Sequence, residues 1–275
     1  MNKRKIILLA VSLCMVAILA VGGTLAYFTD TDNAVNVFTV GNVQIELIEQ
    51  QRNYENGQQI PGSAIEDFED GKKLFPIVGS AQGDKDDYGL PTAKNYLDKI
   101  ISVGVLDGSE DAYVRVLVAI PAALDAGKSS AANVLHFNLG NKFATGDYNG
   151  PVDHVNWLTW ELVHENVDLT ADKYTDIKPG KYHIYMFTYM NPVSENNVTG
   201  SACVVGFYLD ENVDFDGENY TLNGEVIDYN LANGVSIPVF AQGVQSAGFV
   251  DTNGNGTAAD EAFAAAKMPT NPWAE

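Results

Sequence analysis

The side chains able to do chemistry are few and lie far apart. The chain holds four histidines, His136, His154, His164 and His183. A zinc-protease helix needs His, Glu, two residues and a second His, which sets both rings one turn apart on one face. His164 and Glu165 begin that pattern, but Asp168 stands where the second ring belongs, and the surrounding residues read as strand. No Cys or His pair has zinc-finger spacing. Asp125-Ala126-Gly127-Lys128-Ser129-Ser130 ends like a phosphate loop, yet Ala122 occupies the place of its first glycine, so the cradle is missing. Gly243 to Gly248 resembles a nucleophile elbow with the spacing off by one. No catalytic residue is assigned.

Two constellations remain. Asp251, Asn253, Asn255 and Gly256 fall at positions one, three, five and six of a calcium loop, where hard oxygens alternate around a sharp glycine turn. Position twelve is Ala262, and the nearest acids, Asp260 and Glu261, come one or two residues early. A weak calcium site is the functional reading. A polar turn into a capped helix is the plainer one, and the missing bidentate acid favours it. No other cofactor is expected. Tyr185, Phe187 and Tyr189 share one face of a strand, with Trp157 and Trp160 upstream. Such a stripe suits a carbohydrate platform, but sandwich core is its commoner use.

Charge limits the partners. Lys3, Arg4 and Lys5 precede the apolar run Ile6 to Val21, then Gly22-Gly23-Thr24-Leu25-Ala26, with small residues at Thr24 and Ala26. That is the layout of a secretion leader cut after Ala26, before Tyr27. Residues 1–26 would leave, and 249 of the 275 residues would remain as one domain, 27–275. Removing the three basic leader residues from 16 Lys and Arg leaves 13 against 36 Asp and Glu, a net charge near −23. Such a surface repels phosphate backbones and anionic lipid, so nucleic acid is excluded and membrane contact is expected only through an uncleaved leader. Cys14 leaves with the leader, and Cys203 stays as a lone thiol in an apolar run, where a buried hydrophobe is the expected role.

The elements that would carry these residues are mostly strands. Val43, Ile45 and Leu47 alternate with polar neighbours. Residues 50–71 read as a polar loop, and 73–91 as irregular. Tyr96 to Asp107 and Ala112 to Pro121 read as strands that the turn cluster Asp107–Asp111 would join in a hairpin. A short helix is expected around 122–134. Further strands fall at 157–165, 182–190, 202–210 and 235–245. Pro238 marks the last as an edge or a bulge. One helix is expected at Thr257–Lys267, capped by Thr257 and Asp260 and stopped by Pro269 and Pro272. Many short strands and little helix predict a β-sandwich.

The stretch Gly22 to Leu47 resembles the processing region of the TasA/camelysin family of secreted Gram-positive proteins, cut by a signal peptidase of the SipW type. The likeness rests on Gly22-Gly23-Thr24, Ala26, Tyr27-Phe28 with Asp30, and Phe38 with Gly41 before the first strand. Glu110–Pro121 and Ile237–Phe249, the latter followed by an Ala-rich helix, are also similar. The resemblance implies an all-β, jelly-roll-like antiparallel sandwich with long loops and one short C-terminal helix. For the TasA branch it implies fibres of the biofilm matrix, built as homo-oligomeric filaments in which residues 27–38 of one subunit add as a strand to the next. The donor residues would be Tyr27, Phe28, Val35, Val37 and Phe38, with Tyr27, Val35 and Val37 on one parity and Phe28, Ala34 and Phe38 on the other. The sequence leaves open which set is buried. The camelysin branch implies a surface metalloprotease, and a monomeric surface domain is a third reading.

Overall fold

Branched and aromatic residues at alternate positions build two sheets, each with one face turned to a shared core. The computed structural model describes residues 27–29, 37–40, 42–56, 58–127, 133–139, 157, 161–170, 177–250 and 257–274. In chain order the strands used below are β1 (Tyr27–Thr29), β2 (Val37–Val40), β3 (Ile45–Arg52), β4 (Ile65–Asp67) and β5 (Lys72–Lys73). They continue as β6 (Leu97–Val105), β7 (Ala112–Pro121), β8 (Leu135–Leu139), β9 (Glu161–Leu169) and β10 (Gly180–Thr188). The last are β11 (Val204–Leu209), β12 (Val235–Ser236) and β13 (Val239–Gln245), followed by helix α1 (Thr257–Ala266).

Sheet I runs β8-β11-β6-β3-β4, with Asn197–Val198 also paired to β6. Sheet II runs β9-β10-β7-β13-β2. Their inner faces meet in one apolar core that includes Ile101 and Val103 of β6, Val114 and Val116 of β7, Phe187 of β10 and Phe207 of β11. The expected all-β sandwich with antiparallel sheets and one short C-terminal helix is what forms. Tyr185, Phe187 and Tyr189 are core residues, as is Cys203, whose thiol burial pushes well up. Among the described residues no helix is long and apolar enough to cross a membrane.

Both sheets are covered outside as well. All ten residues of β7 are buried. Its even positions face the core, while Tyr113, Leu117 and Ala119 pack beneath α1 and the segment ending at Trp273. Hence β7 reads as a nearly continuous apolar run rather than an alternating one. The outer face of sheet I is covered by the segment around Ile77 and Ala81, which packs on Tyr96 and Tyr208.

Three expectations differ from the fold. Strands β6 and β7 are not a hairpin: they lie in different sheets, and residues 106–111 cross between them. The crossing is fixed by partners elsewhere, with Leu106 N donating to Gln44 O (2.9 Å), Glu110 N to Asn42 O (2.9 Å) and Gln44 N to Ser109 Oγ (3.1 Å). The described part of the expected helix at 122–134 is turn, closed by Leu124 N donating to Pro121 O. The polar stretch 50–71 is not simply loop, because β3 runs to Arg52 and β4 pairs back onto it. Pro238 acts as its missing N–H requires, dividing β12 from β13 while its carbonyl accepts from Ala119 N (2.9 Å).

Candidate functional site

Strands β1 and β2, which follow the expected cleavage point, both pair with the stretch 235–245. Strand β1 sits between β12 and β5, parallel to the first and antiparallel to the second. Phe28 pairs with Val235 and with Lys72, and Tyr27 with Lys73. Strand β2 forms the margin of sheet II, parallel to β13, with Val37 opposite Ala241, Phe38 opposite Gln242, Thr39 opposite Gly243 and Val40 opposite Val244. Ala241 belongs to the inner core, whereas Gln242 faces the opposite side, under the C-terminal segment. Both parallel strand pairings among the described residues thus join the first two strands to the stretch 235–245. A parallel pair cannot be closed by a tight turn.

The strands that pair with β1 and β2 are held from behind. In β13, Gln242 Nε2 donates to Pro269 O (3.0 Å), and Gln242 Oε1 accepts from Arg115 Nε at 2.5 Å. Arg115 also donates to Met268 O (3.1 Å) and lies over the Phe263 ring, 4.3 Å from its centre. Burial lowers this guanidinium to about 10. The pair therefore rivets α1 and residues 268–269 to the outer face of sheet II. Gly243 is closely packed, since a Cβ would stand 3.0 Å from Ile45 Cγ2 and 3.1 Å from Val43 Cγ1 and would press on both side chains.

On the other flank, the stretch 53–98 that carries β5 is closed by a buried charge network. Arg52 forms a bidentate pair with Asp98, at 2.6 and 2.7 Å, and reaches Asp86 at 2.8 Å and Pro91 O at 2.9 Å. Burial alone would lower the Arg52 guanidinium, but hydrogen bonds to Asp98 and Asp86 and their charges hold it above its usual value. Asp86 in turn accepts from the amides of Gly62 (2.9 Å), Tyr88 (3.0 Å) and Leu90 (3.1 Å). One guanidinium thus ties Asp86, Pro91 and Asp98 to the end of β3, and β5 lies within the stretch so closed. Lys72 itself donates to Glu69 O, with its ammonium 4.5 Å from the centre of the Phe68 ring, and burial lowers it to about 8.

The arm has a definite inner limit. Asn42 O accepts from Glu110 N, Gln44 N is bound to Ser109, and Val43 and Ile45 are in the core. From Asn42 onward the chain is therefore tied into the core and the crossing, whereas the described residues before it form only β1 and the marginal strand β2. The 14 residues from Tyr27 to Val40 span about 46 Å when extended at about 3.3 Å each. A domain of this size has a radius of gyration of about 18 Å, so the extended segment is longer than that radius.

Of the residues singled out from sequence, Tyr27 and Phe28 fall in β1, and Val37 and Phe38 in β2. Thr24, Ala26, Val35, Asp251, Asn253 and Asn255 lie outside the described residues. Asp260 and Glu261 sit in α1, and burial, then the charge of Glu161, raises the Asp260 carboxyl. The described histidines are separated: His136 Nε2 meets Asp210 (3.0 Å), His164 Nε2 meets Thr270 Oγ1 (2.9 Å), and His183 Nδ1 lies 3.3 Å from Asp125. Tyr185 donates to that same Asp125. Among the described residues no three His, Cys, Asp or Glu side chains gather as a metal site. The sequence reading expected a strand over 235–245 but not its pairing with β1 and β2, and it gave no signal for β5 as a partner of β1.

The chain matches no protein-family model, no curated protein and no solved structure.

Proposed function

We propose that this protein is a secreted structural subunit that polymerises in the extracellular matrix by passing its N-terminal arm to a neighbouring copy. The observation that carries the reading is the parallel pairing of both arm strands with the stretch 235–245. These pairings need no turn between partners, so another copy's arm satisfies them as well as the chain's own. Strand addition uses main-chain hydrogen bonds for affinity and alternate side chains for fit. A head-to-tail contact of this kind does not close on itself and propagates as a filament. The likeness of Gly22 to Leu47 to the TasA/camelysin processing region supports the same reading, since leader removal by a SipW-type peptidase would create the free arm.

The test compares protein starting at Tyr27 with protein lacking Tyr27–Phe38, by light scattering and electron microscopy. The first should form filaments, and the second should remain folded and monomeric. Equal polymerisation of both would refute arm exchange.

A further inference from the structure

The inner face of sheet I contains an ammonium group where only apolar side chains are expected. Lys99 is fully buried on β6, on the same face as Leu97 and Ile101 of the core. Its Nζ lies 2.8 Å from Oε1 of Glu49, whose side chain is 7 % exposed. Glu49 sits on β3 opposite Ile101, so Lys99 is its diagonal neighbour across the strand pair. The Phe68 ring closes over the pair, its centre 4.2 Å from Nζ.

We propose that Lys99 and Glu49 become joined by an amide bond between Nζ and Cδ, formed within the folded chain. An ion pair in such a place is costly, because two desolvated charges recover little of their lost hydration. Transfer of the proton from Nζ to the carboxylate removes both charges and leaves an amine in contact with a carboxylic acid. Burial drives the Lys99 ammonium well below its ordinary value, in the direction this transfer requires. The amine lone pair then attacks Cδ, the C–N bond forms, and the C–O bond breaks. The leaving hydroxyl takes the proton lost by nitrogen, so one water is released and nothing is oxidised or reduced. Fixed neighbours react as if at very high concentration, and a site closed by Phe68 keeps bulk water from reversing the step. The product ties β3 to β6 covalently, whether or not the chain polymerises.

Peptide mass mapping of the folded protein, held at neutral pH and then denatured and digested with trypsin, tests this directly. The amide predicts an intact mass lower by one water, no cleavage after Lys99, and Asn95–Arg115 joined to the peptide that ends at Arg52. The same chain digested after synthesis and storage in urea should show no link, and Lys99→Met should lack it. Recovery from the folded protein of a free peptide ending at Lys99, together with an unlinked peptide ending at Arg52, would overturn the proposal.

Discussion

Replacing Arg52 by Met isolates what one buried guanidinium contributes to this fold. The side chains of Arg52, Asp98 and Asp86 are 1 %, 0 % and 4 % exposed, so removal of the cation leaves two carboxylates facing each other away from water. Breaking a buried pair from one side costs about 3–5 kcal/mol. With a urea dependence of about 3 kcal/mol per molar for a domain of this size, the midpoint should fall by roughly 1–1.7 M. The deficit should also depend on pH. Burial already holds Asp98 above the ordinary carboxylate range in the intact pair. Loss of Arg52 removes the hydrogen bonds and charge that oppose this, so over a wider window above about pH 4 the folded variant binds more protons than the unfolded chain. Its stability therefore recovers as pH falls through that window. Urea melts followed by tryptophan fluorescence at neutral pH and near pH 5 measure both effects. A loss below about 1 kcal/mol, or a deficit unchanged by pH, would refute the view that Arg52 binds Asp86 and Asp98 as a buried charge network.

Arg115→Met should free the C-terminal segment before the sandwich itself opens, because Arg115 and Gln242 bind the carbonyls of Met268 and Pro269. Hydrogen bonds from a charged group predict a loss of about 2–3 kcal/mol, and limited trypsinolysis should cut faster at the exposed Lys267. Lys72, lowered to about 8, gives a pH signature of opposite sign to that of a paired lysine. From about pH 8 to the ordinary lysine range the unfolded chain holds a proton that the folded one has released, so stability rises with pH across that window. Thermal melts at pH 7.5 and 9.5 should show this rise in the native protein and its loss in Lys72→Met, and a flat native profile would contradict the burial of that amine.

The sandwich was legible because most strands carry their own signal. Val43, Ile45 and Leu47 alternate, and Tyr185 and Phe187 share a face that proved to be core. The helix at 257–266 was equally plain, since an Ala-rich run with a capping pattern and closing prolines has no better alternative. Sheet partnership was harder to read. Leu97–Val105 and Ala112–Pro121 looked like a hairpin because the turn cluster between them is short, yet Ser109 and Glu110 bond to residues 42–44 and carry the chain across the core. Turn chemistry signals a reversal and not which sheet receives it. Arg52 and Lys99 were passed over because the meaning of a buried charge lies in partners 46 and 50 residues away, Asp98 and Glu49. The N-terminal segment was singled out by its resemblance, whereas the strands it pairs with became evident only from the register of Phe28 with Val235 and of Val37 with Ala241.

The central claim is that the arm's partner stretch accepts an arm from another copy. Thr29 and Ser236 are paired in register across β1 and β12. Neighbouring strands stand about 4.8 Å apart, within reach of a disulfide. Cys203 is buried and its thiol is pushed up, so it stays out of the reaction. Chains starting at Tyr27 and carrying either Thr29→Cys or Ser236→Cys should be mixed and oxidised, with the double variant alongside. Arm exchange predicts mixed disulfides between the two different chains and a ladder of covalent oligomers from the double variant. Only intramolecular bonds in the double variant, with none between copies at any concentration, would contradict it.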